Sequence, residues 1–236
     1  MELNKIYNED CLEGMKKIES NSIDLIITSP PYNIGNMKSN KTKHGTYAGN
    51  NMKEEAYQDW QLSILNECYR VLKEGGSLFY NHKVRIKKGV GLHPLEFILK
   101  SPFILKQEIV WDMGKSANCD KIRFFPFSER IYWLTKSPST KLHNMNKLSD
   151  VWRVVPTHKR KETGHIAVMP VDIVDNILQS TQGEIVLDPF MGSGTTAISA
   201  INNNRNYIGF ELDEGYCKIS LDRIKECKEK RNEELL

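Results

Sequence analysis

Glu184-Ile185-Val186-Leu187 runs straight into Asp188-Pro189-Phe190-Met191-Gly192-Ser193-Gly194-Thr195-Thr196, and a helical pattern follows to about Asn202. An apolar run too short for a helix, then two glycines, then helical periodicity, is the signature of a buried strand turning tightly into a helix. That unit commits the chain to an α/β fold, with the turn open to a ligand at the helix N-terminus. A P-loop would need a lysine that this turn lacks. The dinucleotide fingerprint is met only in relaxed form, with Ala197 in the place of its last glycine, so a dinucleotide stays open. Asp188 at the strand end suits a ligand carrying positive charge. Glu211, 23 residues on, ends the following apolar run Tyr207–Phe210, where an acid can accept hydrogen bonds from ribose hydroxyls.

A second strand end is as distinctive. Ile23-Asp24-Leu25-Ile26-Ile27-Thr28 is nearly continuous in apolar character, as parallel strands buried on both faces are. It stops at Ser29-Pro30-Pro31-Tyr32. Two prolines in succession stiffen the backbone and remove two N–H donors. The Pro30 carbonyl, the Ser29 hydroxyl and the flat face of Tyr32 together form a cradle for a planar group bearing an amine.

The remaining pattern alternates strand-like and helical stretches, which predicts one doubly wound, mostly parallel α/β domain over residues 1–236. Strands are expected at Lys5–Tyr7, Ser77–Tyr80, Leu105–Trp111 and Arg130–Thr135. Helices are expected over about Asp10–Glu19, Glu54–Leu72, Leu95–Lys100, Pro170–Ser180 and Glu214–Lys230, with Lys73-Glu74-Gly75-Gly76 closing the second as a C-cap. Residues 34–53, rich in Asn, Lys and Gly, are expected to form a mobile loop beside the site. Residues 136–164 hold seven Lys or Arg against two acids, a local charge of about +5 against +3 for the whole chain. They are expected to be a short basic insertion that could face an acidic partner.

Composition narrows the class further. Hydrophobic residues are 39% and charged residues 27%, which excludes a disordered chain and a collagen-like fibre. No run of 18 apolar residues is present, and the N-terminus does not read as a signal peptide, so a cytoplasmic location without membrane contact is expected. The five cysteines, Cys11, Cys68, Cys119, Cys217 and Cys227, are odd in number and never spaced C-x-x-C. Reduced thiols and no metal site are expected.

Taken together, SPPY at 29–32 and DPFMGSGTT at 188–196 resemble the amino-methyltransferases of DNA. Their order resembles the β arrangement of that family, and the likeness runs from Tyr7 to about Lys225. It implies S-adenosylmethionine as cofactor. Asp188, Pro189, Phe190, Gly192, Ser193, Gly194 and Thr195 would line its methionine side, Glu211 its ribose, and Asp10 with Cys11 its adenine ring. Ser29, Pro30, Pro31 and Tyr32 would form the catalytic cradle. His165 and Pro170 resemble the start of the helix before the glycine turn, with Ile166 where the family often has proline.

An exocyclic amine on a heteroaromatic ring is a poor nucleophile, because its lone pair is delocalised. Hydrogen bonds from its protons to Ser29 Oγ and the Pro30 carbonyl would localise that pair for attack on a sulfonium methyl, so catalysis is positioning and electrostatics. The base must leave the duplex to reach such a cradle and would stack on Tyr32. Within the family, serine at the first position goes more often with N4 of cytosine and aspartate with N6 of adenine, so cytosine is favoured and adenine is the alternative. RNA methylation, or nucleic-acid binding without chemistry, is the more distant reading. The resemblance implies that the basic insertion 136–164 is the target-recognition region, and DNA contacts are expected from Lys41 and Lys43 and from Arg153, His158, Lys159, Arg160 and Lys161. The family also admits a cognate restriction endonuclease and a homodimer as partners.

Overall fold

The computed structural model describes residues 1–34, 51–114, 123–144, 148–156 and 168–234. In chain order the strands are β1 Lys5–Tyr7, β2 Ile23–Thr28, β3 Leu72–His82, β4 Arg85–Lys87, β5 Val90–Leu92, β6 Ile104–Asp112, β7 Ser128–Thr135, β8 Val151–Arg153, β9 Ile185–Asp188 and β10 Asn206–Phe210. The helices are α1 Cys11–Met15, α2 Glu54–Val71, α3 Leu95–Ile98, α4 Val171–Ser180, α5 Thr195–Asn202 and α6 Glu214–Glu234.

Eight strands form one sheet in the order β1-β10-β9-β2-β3-β7-β6-β8, and β4 pairs with β5 in a separate hairpin. From β1 to β3 every pairing is parallel, while β7 runs antiparallel to both β3 and β6. The expected doubly wound, mostly parallel sheet is therefore present. Its residues alternate between two cores. Ile26, Leu78, Tyr80, Leu134 and Leu187 pack with Tyr57, Ile64, Leu65 and Cys68 of α2 on one face. Leu25, Ile27, Phe79, Trp133 and Val186 pack with Ile173, Val174 and Ile177 of α4 and Ala197 and Ala200 of α5 on the other. Burying both faces explains why β2 and β9 read as continuous apolar runs.

Helices thus change face between β9 and β2, which are direct neighbours. In open α/β sheets the crevice at such a switch point, at the carboxyl ends of the strands, is where ligands bind.

Several boundaries differ from expectation. The first helix is a single five-residue α-helix, Cys11–Met15, rather than Asp10–Glu19. Tyr57, Ile64, Leu65, Cys68 and Val71 give α2 its buried face, but it ends at Val71 because Leu72 is already extended. Gly75 and Gly76 are not a C-cap. They lie within β3, where the pairing slips from Ile23–Leu72 to Leu25–Ser77. A Cβ on Gly76 would stand 2.8 Å from the Asp24 carbonyl oxygen, so the glycine permits the irregular close approach. The β4–β5 hairpin and β8 were not anticipated. β8 is three residues inside the basic segment, paired parallel to β6 at the sheet edge. It is held there by Trp152, which is buried and donates from Nε1 to the Ser149 carbonyl at 2.8 Å. Most of the 34–53 segment lies outside the described residues. Its ends are joined at the base, where the Asn33 side chain bonds the Met52 carbonyl at 3.0 Å and accepts from the Met52 N–H at 2.9 Å.

Candidate active site

Parallel pairing brings the carboxyl ends of β1, β10, β9, β2 and β3 to one edge of the sheet. Because β7 is antiparallel, its first residues, Ser128 and Glu129, stand at that same edge. Asp10, Glu211, Asp188, Ser29, Asn81 and Glu129 all arise there.

The two sequence motifs are bonded to each other. Asp188 Oδ1 accepts from Thr28 Oγ1 at 2.9 Å and from the Phe190 N–H at 3.0 Å, and Oδ2 accepts from Thr196 Oγ1 at 2.6 Å. The carboxylate is almost fully buried, and burial pushes its pKa up to about 6 despite those three donors. Asp188 therefore fixes the glycine turn onto β2 with its bonding capacity directed inward.

Beyond Asp188 the turn needs glycine at 194, where φ is +84° and a Cβ would lie 2.9 Å from Cβ of Ser220. Arg223 of α6 clamps the turn by donating to the Ser193 carbonyl and, at 3.0 Å, to Ser193 Oγ. Thr195 Oγ1 is buried with no partner among the described residues. Half-buried Phe190 meets Trp60 edge-on at 5.7 Å between centroids. Glu211 accepts from the Gly192 N–H at 2.8 Å and the Asp213 N–H at 2.9 Å, and burial raises its pKa. Asp10 caps α1, its Oδ1 accepting from the N–H groups of Leu12 at 2.8 Å and Glu13 at 3.3 Å. Next to it Cys11 is buried, which pushes its thiol up to about 12 and leaves it unreactive.

At the end of β2, α2 holds the second proline from behind. The Pro31 carbonyl accepts from Tyr57 Oη at 2.8 Å and from Gln61 Nε2 at 3.3 Å. Tyr57 Oη also meets His82 Nε2 at 2.7 Å, and burial lowers the His82 pKa to about 3, so that ring is neutral. In front, Ser29 Oγ meets Tyr32 Oη at 2.8 Å. Asn81 Nδ2 donates to Tyr32 Oη at 2.7 Å, while Tyr32 Oη donates to Glu129 Oε2 at 3.0 Å. Burial, reinforced by the Glu129 charge, holds the Tyr32 phenol well above its ordinary value. The Tyr32 ring lies 4.6 Å from the His82 ring and 5.2 Å from Lys83 Nζ.

All four predicted cradle residues and all ten predicted cofactor residues thus gather on one edge. Among the predicted DNA contacts only Arg153 is described. It is exposed and paired with Asp112 at 2.9 Å. Lys41, Lys43, His158, Lys159, Arg160 and Lys161 lie outside the described residues. Asn81, Glu129, Tyr57 and Gln61 were missed by sequence reasoning. Asn81 and Glu129 carried a readable signal, since each is a polar residue bordering an apolar strand at the edge where the two motifs end. Also unforeseen is the exposure of Phe124, Phe125 and Phe127 just before β7, with Phe124 at 99%. Among the described residues no cluster of three His, Cys, Asp or Glu could hold a metal ion.

Residues 23–222 match a family model described as DNA methylase. The chain is 32% identical over 255 aligned positions to the type II methyltransferase M.BglII of Bacillus subtilis, covering 92% of this chain and 68% of that protein. It is 28% identical to the DNA adenine methyltransferase YhdJ of Escherichia coli K12, covering 94% and 83%. Among solved structures it superposes on the cytosine-N4-specific PvuII DNA methyltransferase with a TM-score of 0.77 at 21% identity, covering 94% and 90%. The complex of M1.HpyAVI with S-adenosylmethionine gives 0.68 at 22%, covering 93% and 98%.

Proposed function

The chain belongs to the DNA methylase family and is an S-adenosylmethionine-dependent DNA amino-methyltransferase; from that premise we propose that it methylates N4 of a cytosine extruded from duplex DNA, in the crevice between the ends of β2 and β9. One observation carries the assignment. The SPPY segment and the glycine turn, 160 residues apart, are joined through Thr28 and Asp188, which supports an amine at Ser29 meeting a donor on the turn.

The residues present fit the donor. Thr195 Oγ1 is a buried hydroxyl at the turn without a partner among the described residues, which a ligand would satisfy. Both carboxylate oxygens of Glu211 are aimed by backbone N–H groups and keep lone pairs for two ribose hydroxyls. Phe190 offers an apolar wall, and Asp10, whose Oδ1 is taken up by the cap, has Oδ2 for the adenine amine. When bound, the donor supplies an electrophilic methyl on a sulfonium. This chain's own residues supply the rest. Ser29 Oγ and the Pro30 carbonyl accept the two amine protons and draw the nitrogen toward tetrahedral geometry. Tyr57 and Gln61, holding Pro31, keep that carbonyl in place. Tyr32 gives the base a stacking surface.

Serine as the first residue of the cradle supports cytosine. Likeness to an adenine methyltransferase supports N6 of adenine as the second reading. DNA would lie across the edge bearing Lys83, Arg153 and Phe124, and the basic residues of 34–53 and 136–164 would add phosphate contacts. No helix among the described residues is long and apolar enough to cross a membrane. A cytoplasmic location, a cognate restriction endonuclease and a homodimer complete the proposal.

The test is methylation of unmodified genomic DNA, read as nucleosides by mass spectrometry. N4-methylcytosine is the expected product. N6-methyladenine would keep the mechanism and reject serine as the selector of the base. No methylated nucleoside, with donor binding verified, would reject the reading.

A further inference from the structure

The contact between Ser29 Oγ and Tyr32 Oη is ambiguous taken alone, because either hydroxyl could donate. Its direction is decided one residue away. A glutamate carboxylate has only acceptors to offer. Glu129 Oε2 lies 3.0 Å from Tyr32 Oη and 3.0 Å from Asn81 Nδ2. The phenol proton of Tyr32 is therefore committed to Glu129, and Asn81 donates into Tyr32 Oη at 2.7 Å. With its only proton spent, Tyr32 accepts from Ser29. The Ser29 proton points inward, and its lone pairs face out, opposed among the described residues only by a long 3.3 Å contact from Asn81. Turned the other way, the same hydroxyl would donate to the amine nitrogen and tie up the lone pair that has to attack.

Resting on the amine chemistry proposed above, we propose that Glu129 is a positioning residue that makes Ser29 an acceptor, and the terminal holder of the proton the amine loses. The amine nitrogen uses its lone pair to form the N–C bond while the S–C bond breaks, its electron pair staying on sulfur. The methylated nitrogen then carries one positive charge and one proton too many. That proton passes to Ser29 Oγ as the serine proton passes to Tyr32 Oη and the tyrosine proton to Glu129 Oε2. The products are the neutral methylamine, the thioether and a protonated Glu129. The Glu129 side chain is 13% exposed and lies 3.9 Å from the more open Lys83 Nζ, which gives the proton a way out to solvent. A hydroxyl is a weaker acceptor than a carboxylate. The relay sets a carboxylate two hydroxyls behind the serine, so one strand, β7, supplies what the SPPY segment lacks.

The experiment compares methyl transfer to genomic DNA by the unsubstituted chain and by Glu129→Gln, which keeps the volume and an acceptor oxygen but takes up no proton. The expected result is a fall in kcat on the order of 100-fold, the range of a general base. Affinities for S-adenosylmethionine and DNA should stay within about twofold, which also shows that the variant is folded. Tyr32→Phe should lower kcat too, and adding Glu129→Gln to it should cost nothing further, because the relay is already cut. Formate, but not formamide, should restore turnover to Glu129→Ala. A Glu129→Gln variant within twofold of wild-type kcat would overturn the relay, and so would equal rescue by formamide or additive losses in the double variant. If the unsubstituted chain methylates no DNA, the proposed function itself fails, a result separate from any of these.

Discussion

Thr28 Oγ1 donates to Asp188 Oδ1 at 2.9 Å, and both residues are buried. Thr28 is the last residue of β2 and adjoins Ser29. Asp188 is the last residue of β9 and opens the glycine turn. That side-chain bond therefore joins the ends of the two motifs, across neighbouring strands that also pair through their backbones.

Thr28→Val keeps the shape and removes the donor. Two other donors still serve Asp188, so the fold should survive. The loss of one bond to a buried charged group costs about 2 kcal/mol, or a few degrees in Tm for a chain of this size. Turnover should fall as well, because Ser29 is no longer indexed to the turn. Thermal melts and kcat at saturating substrates check both. Unchanged values in both would show that the bond does not set the geometry.

Asp188 also predicts a pH dependence. Burial raises its pKa from 3.8 to about 6 in the folded chain. The folded state therefore binds this proton more tightly than the unfolded state does. The resulting stabilisation is fully present below about pH 4 and is lost as pH rises through about 6. Its ceiling is about 3 kcal/mol. Asp188→Asn is neutral throughout and lacks this slope. Melts of both proteins between pH 4.5 and 7.5 should show the variant gaining on wild type by several degrees. Parallel curves would contradict the buried, raised carboxylate.

How much of this was legible can be argued residue by residue. The unit 184–202 could be read because its strand is buried on both faces and its glycines leave one backbone solution. β2 and SPPY could be read for the same reason. β8 could not, because three residues with one buried side chain carry no periodicity. Gly75 and Gly76 misled because a glycine pair after a helix favours a cap, and only the β2 partner reveals the slip in register. Asn81 and Glu129 were invisible as a pair. Their meeting depends on β7 running antiparallel beside β3, a pairing between strands 48 residues apart at this contact.

Glu211 provides a test of the donor site that needs no DNA. Its two oxygens are held by the N–H groups of Gly192 and Asp213. Glu211→Gln keeps one acceptor oxygen and loses the charge. Affinity for S-adenosylmethionine should fall about tenfold, or about 1.4 kcal/mol. S-adenosylhomocysteine should weaken in parallel, since it carries the same ribose. Titration calorimetry reads both. Equal affinity in variant and wild type would move the ribose away from Glu211.

The proposed DNA edge would combine two kinds of interaction with different salt signatures. Charged residues that meet phosphates release counterions, and removing one such residue lowers the slope of log K against log salt by about 1. Lys159→Ala, Arg160→Ala and Lys161→Ala combined should weaken DNA binding at low salt and flatten that slope. An unchanged affinity would remove the segment from the interface. Phe124 is different. It is uncharged, 99% exposed and five residues from Glu129, just ahead of the strand that completes the cradle. Exposed aromatic rings contribute by stacking on bases, at about 1–3 kcal/mol per base and without counterion release. Phe124→Ala should therefore weaken DNA binding roughly tenfold or more while leaving the salt slope unchanged. Its exposure means the fold bears little of the loss, so the Tm should hold. A flattened slope would reassign its effect to displaced neighbouring charges, and unaltered binding would leave the ring outside the interface.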